Sequence, residues 1–79
     1  MRSQYDIIRD LMMAADGSTM TDMCKMAHIN QTQFKDLMPP LVKKGFVSME
    51  KDGRATYMLT IKGRDLITRF DGLLKEIQP

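Results

Sequence analysis

T-D-M-C-K-M-A-H-I-N-Q-T-Q-F-K-D-L-M-P-P-L-V-K-K-G, residues 21–45, reads as a helix, a turn and a second helix. Thr21 is placed to cap the first of these, a short helix over Asp22–His28, in which Met23, Met26 and Ala27 fall at helical spacing. Ile29-Asn30 breaks it, and Asn30 can cap the second helix. There Phe34, Leu37, Met38 and Leu41 make one apolar stripe, which leaves Gln31, Thr32, Gln33, Lys35 and Asp36 facing outward. Those outward residues carry hydrogen-bonding groups long enough to reach base edges in a major groove, so the second helix, over about residues 30–44, is read as a recognition helix. Pro39-Pro40 removes two backbone donors within it. Either the helix breaks there and restarts as P-P-L-V-K-K up to Gly45, or it persists as a longer, bent helix held by Leu41 and Val42.

Working outward, Ser3 and Asp6 resemble a capping box before a helix over about Gln4–Ala15. Tyr5, Ile8, Leu11, Met12 and Ala15 form its stripe, and Ile7 and Ala14 widen it. Asp16-Gly17 is expected to end this helix, with Ser18–Met20 a short extended link. Beyond Gly45, F-V-S-M-E, K-D-G-R and A-T-Y-M-L read as strand, tight turn and strand, because Gly in Asp52-Gly53 accepts the positive φ of a hairpin turn. This hairpin, about residues 46–59, is expected to be anchored by Phe46, Val47, Tyr57 and Leu59 and to expose Lys51 and Arg54 at its tip. Thr60 then caps a last helix to about Ile77, where Leu66, Phe70, Leu73 and Ile77 repeat at four, three and four, broadened by Ile67 and Leu74. Such a strip exceeds what one side of a small core needs, and a second copy of the chain is the simplest cover.

Seventy-nine residues make one small domain, near the size where a single core is only marginally stable. Charge is unevenly placed: residues 21–64 hold eight Lys or Arg against four Asp or Glu, a net +4, and the flanks four against six, a net −2. The basic half therefore coincides with the reading half, which favours phosphate contact there. A single Cys24 and a single His28 cannot form a disulfide or furnish a structural zinc site, so no metal or other cofactor is expected. Cys24 is read as core, and His28 as a cation near a helix C-terminus or simply exposed. With no phosphate-cradling glycine loop, paired-carboxylate pocket or nucleophile set, the chain is not read as an enzyme, and no small-molecule substrate is evident. No apolar run approaches the roughly 18 residues of a membrane span, and the N-terminus does not read as a signal peptide, so the expected compartment is the cytoplasm.

The order helix, helix, helix, hairpin, helix is that of a winged helix-turn-helix: mainly α, a three-helix bundle with a β-wing and a C-terminal helix. Lys44, Gly45, Phe46 and Val47, then Tyr57, Leu59, Thr60, Lys62 and Gly63, resemble the pattern K-G-L-I … Y-x-L-T-x-K-G of archaeal winged-helix regulators and small chromatin-type proteins. The resemblance covers essentially the whole chain and implies a dimeric double-stranded-DNA binder joined through its C-terminal helix. Together with the outward-facing polar set, it gives Thr21, Asn30, Gln31, Thr32, Gln33, Lys35, Lys43, Lys51 and Arg54 as expected DNA contacts. Ile7, Leu66, Ile67, Phe70, Leu73, Leu74 and Ile77 are the expected dimer surface. The alternative on the same fold is a protein-protein interaction module that does not bind DNA.

Overall fold

The computed structural model describes residues 3–77, with side chains described through residue 73. Four helices, α1 (Gln4–Met13), α2 (Met20–Ala27), α3 (Gln31–Lys43) and α4 (Ile61–Ile77), surround a three-stranded antiparallel sheet of β1 (Asp16–Ser18), β2 (Val47–Asp52) and β3 (Arg54–Leu59), in the order β1-β3-β2. Leu11, Met12, Met23 and Val47 are almost wholly buried, and Phe34, Met38, Leu41, Tyr57 and Ile67 complete the core around them. Phe34 meets Tyr57 edge to face at 5.3 Å, which locks α3 onto the hairpin.

Local signals start the helices. Ser3 and Asp6 form a reciprocal capping box at α1, and Asn30 and Gln33 form another at α3. The cap of α2 is Thr19, whose side chain accepts from the Asp22 amide, where Thr21 was expected. The helix begins earlier because Met20 is turned inward and Met23, Cys24 and Ala27 form its buried face. Met26, expected in that face, is 60% exposed. The chain leaves α2 through His28 in the left-handed conformation (φ 56°) and reaches Asn30, the cap of α3, two residues later.

Two further expectations are corrected and one open alternative is decided. α1 stops at Met13 with Ala14 as its cap, and Gly17, at φ 70°, is not a helix terminator but part of β1. The link after α1 is therefore a strand: Asp16 pairs with Met58 and Ser18 with Tyr57 across an irregular register, and the Leu59 amide donates to the Ala15 carbonyl at 2.8 Å. Three residues with one inward side chain are too few to show alternation in sequence. Pro39 and Pro40 do not end α3, which runs unbroken to Lys43. Both prolines are exposed while Phe34, Met38 and Leu41 are buried before and after them. Burial of each large side chain is worth about 1.5–3 kcal/mol, against about 3 kcal/mol for a helical proline, so packing carries the helix through. The two lost amides leave the Lys35 and Asp36 carbonyls to water, which reaches both residues.

α4 is tied to the body at its start and along one side. Arg9 of α1 makes a two-pronged hydrogen bond to the Asp71 carboxylate at 3.0–3.3 Å, and Tyr5 stacks on Phe70. Among its described side chains, Ile67 is the hydrophobic one that is buried, at 6% exposure. Ile67 therefore belongs to the intrachain core and is not spare for a partner, a correction to the expected dimer surface.

Candidate nucleic-acid interface

The exposed side of α3 divides in three. At about 100° per residue, Thr32, Asp36, Pro39 and Lys43 follow one another along the outermost line, and all four are exposed. On the hairpin side, Lys35, Pro39, Val42 and Lys43 border a groove against Met49 and Tyr57. On the opposite side, Asp36, Leu37, Pro40 and Lys44 face a depression under α1 and α4. Gln31 falls in helical phase with Lys35, and Gln33 in phase with Leu37 and Pro40, so the two glutamines lie on different flanks.

Gln33 is also engaged. Its Oε1 accepts from the Asn30 amide at 3.1 Å while Asn30 Oδ1 accepts from the Gln33 amide at 2.8 Å. Both side chains, expected to touch bases, are used to start the helix; the Gln33 amide nitrogen remains available to donate. Gln31, Thr32, Lys35 and Lys43 are exposed. Asp36, which is not in the expected contact set, also lies on the outermost line, at the spacing 32-36-39-43.

In the hairpin, Lys51 pairs with Ala55, Met49 with Tyr57 and Val47 with Leu59, so these share the face turned toward α3. Arg54 pairs with Asp52 and lies on the other face. The two cations expected to flank the tip thus lie on opposite faces of the sheet. Arg54 and Ala55 border a shallow concavity with Thr21 and Asp22 at the start of α2, which brings two of the expected contact residues into one neighbourhood. Of the expected dimer residues, Leu66 and Leu73 are 38% and 51% exposed, Phe70 and Ile7 are partly buried, and the side chains of Leu74 and Ile77 lie outside those described.

Burial raises the Cys24 thiol above its ordinary range, which suppresses thiolate chemistry. Among the described residues no group of three or more His, Cys, Asp or Glu is placed to hold a metal ion, and none of their helices is long and apolar enough to cross a membrane.

The family model described as winged helix-turn-helix matches residues 1–78. The chain belongs to the winged helix-turn-helix family. No curated protein matches it in sequence. Among solved structures, this winged helix is similar to Sso10a-2, a DNA-binding protein from Sulfolobus solfataricus, with a TM-score of 0.84 and 24% identity over 98% of this chain and 83% of that one. At that identity the likeness speaks for the fold.

The winged helix also explains the run from Lys44 to Gly63. Thr60 Oγ1 accepts from the Gly63 amide at 3.0 Å and donates to the Gly45 carbonyl at 2.6 Å, so one hydroxyl caps α4 and fastens it to the turn after α3. Lys62 Nζ donates to the Lys44 carbonyl at 2.7 Å and lies 5.1 Å from the centre of the Phe46 ring. Gly45 takes φ 82°, and any Cβ on Gly63 would collide with the Phe46 carbonyl. These residues build the junction of hairpin and last helix.

Proposed function

We propose that the protein is a non-enzymatic double-stranded-DNA-binding protein, a cytoplasmic transcriptional regulator that acts as a homodimer. The observation that carries this reading is the outermost line of α3, where Thr32, Asp36 and Lys43 stand clear of the rest of the winged helix, with Lys35 beside them on the hairpin side. α3 enters the major groove; Thr32 and Gln31 meet base edges, and Asp36 accepts from a cytosine amino group. Lys35, Lys43 and Lys51 neutralise phosphates on the hairpin side, while Arg54, near the start of α2, contacts the backbone or the minor groove. Thr21 contributes from the first turn of α2. Dimerisation through α4 is supported by Leu66 and Leu73, which are large, apolar and uncovered.

The test is affinity for mixed duplex DNA against salt. Each phosphate contact steepens the slope of log affinity on log salt by about 0.9. Lys35→Ala with Lys43→Ala should therefore flatten it by roughly two contacts and weaken all sequences alike, while Thr32→Ala alters base preference. A slope near zero for the intact protein would exclude the reading. One observation favours the alternative protein-protein module: Asp36, Pro39 and Pro40 put a negative charge and two rings without donors on the outer side of α3. No mobility shift at low salt would decide for it.

A further inference from the structure

The side of β2 turned toward α3 begins as core and ends uncovered. Val47 is 1% exposed and its face-mate Tyr57 9%, yet Met49, paired with Tyr57 and two residues along β2 from Val47 on the same face, is 51% exposed. The gap beside it is an open groove of about 500 Å³ between α3, the hairpin and Met20 at the start of α2. That is within the size of pockets that hold drug-sized ligands. Its floor is apolar, formed by Phe34, Met38 and Tyr57, and Val42 and Met49 supply the walls. The charged residues lining it are Lys35 and Lys43, and Lys51 stands one pleat beyond Met49 on the same strand face.

An apolar groove walled partly by the flexible side chains of Met20, Met38 and Met49, with Lys35 and Lys43 on its α3 rim and no acid among the lining residues, is complementary to a molecule with an apolar tail and an anionic head. We infer that this groove binds an amphipathic carboxylate of the medium-chain fatty-acid type, its tail laid between Met20, Met38 and Met49 and its carboxylate held by Lys35 and Lys43. Methionine suits the tail because its flexible thioether adapts to a chain of varying length and bend. Such binding occupies the two lysines proposed to hold phosphates, so ligand and duplex exclude each other. That consequence rests on the DNA-binding reading above; binding of the carboxylate does not.

Titration of the DNA-free protein, labelled at its methionine methyls, with dodecanoate below its micellar concentration tests the inference by NMR. The expected result is saturable shifts of the Met20, Met38 and Met49 methyls, with those of the exposed Met13, Met26 and Met58 unchanged. Octanoate should bind more weakly, by about fourfold per methylene removed while the tail still fits. Dodecanol, with the same tail and no charge, should bind at least about tenfold more weakly, as should dodecanoate to the exposed-site variant Lys35→Ala with Lys43→Ala. Equal shifts at all exposed methionines would mean detergent-like adsorption and overturn the site. Equal affinity for dodecanol would overturn the anionic ligand. Shifts of Met20, Met38 and Met49 with protein concentration alone would assign the groove to a second copy of the chain. Dodecanoate that binds as expected but leaves duplex affinity unchanged would count against the placement of DNA on Lys35 and Lys43, and not against the carboxylate site.

Discussion

Two single residues carry strain or closeness that the rest of the chain must accommodate. His28 holds a left-handed conformation, φ 56° and ψ 49°, in the turn between α2 and α3, a geometry that costs a residue with a Cβ about 1–2 kcal/mol. Glycine has no such cost, although it loses more entropy on folding, about 0.5–1 kcal/mol. His28→Gly should therefore leave stability unchanged or raise it by up to about 1 kcal/mol, where a substitution in a right-handed turn would lower it; thermal unfolding by circular dichroism reads the sign. Gly63 is the opposite case. Alanine would gain up to about 1 kcal/mol of helix propensity in α4, but its Cβ would meet the Leu59 methyl and, more seriously, the backbone carbonyl of Phe46, which cannot swing away as a side chain can. Overpacking of that kind costs about 1–3 kcal/mol or more, so Gly63→Ala is expected to destabilise on balance, with a fall in the denaturant midpoint. Gly72, on the same helix with nothing near its Cβ position, is the control, and Gly72→Ala should stabilise.

Among the elements, α3 is built against its own sequence. It keeps two adjacent prolines in its interior because its buried face is continuous across them. Each proline costs about 3 kcal/mol relative to alanine in a helix, partly offset by the about 0.4–1 kcal/mol it removes from the unfolded chain's freedom. Replacing either exposed ring by alanine is expected to raise stability by about 2–2.6 kcal/mol, at roughly 4–8 °C in Tm per kcal/mol for a chain of this size. A lower Tm for Pro39→Ala would mean that the ring's contact in the hairpin-side groove outweighs its helical cost. The hairpin is the complement: its register is regular from Val47 to Leu59, and that regularity separates Lys51 from Arg54.

At the scale of the whole molecule, the extents of 46 × 27 × 17 Å are those of a small body with one long element. α4, seventeen residues and about 25 Å long at 1.5 Å per residue, is held by Ile67, the Arg9–Asp71 pair and the Tyr5–Phe70 stack. Leu66 and Leu73 remain uncovered. If a second copy covers them, Leu66→Ser with Leu73→Ser should yield a monomer by sedimentation equilibrium with the helical signal retained. Its affinity for a single half-site should be unchanged, and its affinity for a paired site should fall at least about tenfold. An unchanged sedimentation mass would remove α4 as the dimer surface.

Periodicity and caps alone determined the class of fold, the order of helices and hairpin, the start of α3 at Asn30 and the apolar anchors Val47 and Tyr57. These are local: a cap, a turn or a stripe is written within a few residues and acts within a few residues. Only the tertiary structure decided the rest. Asp16–Ser18 became a strand because β3 offered it an edge, α3 survived its prolines because the core lay along its other side, and Gln33 was taken by the cap it helps to form. Ile67 turned inward while Leu66 stayed out, because a helix packed along one line can bury only the residues on that line. Which exposed side chains share a surface depends on how elements distant in sequence meet, and no spacing within one element encodes that.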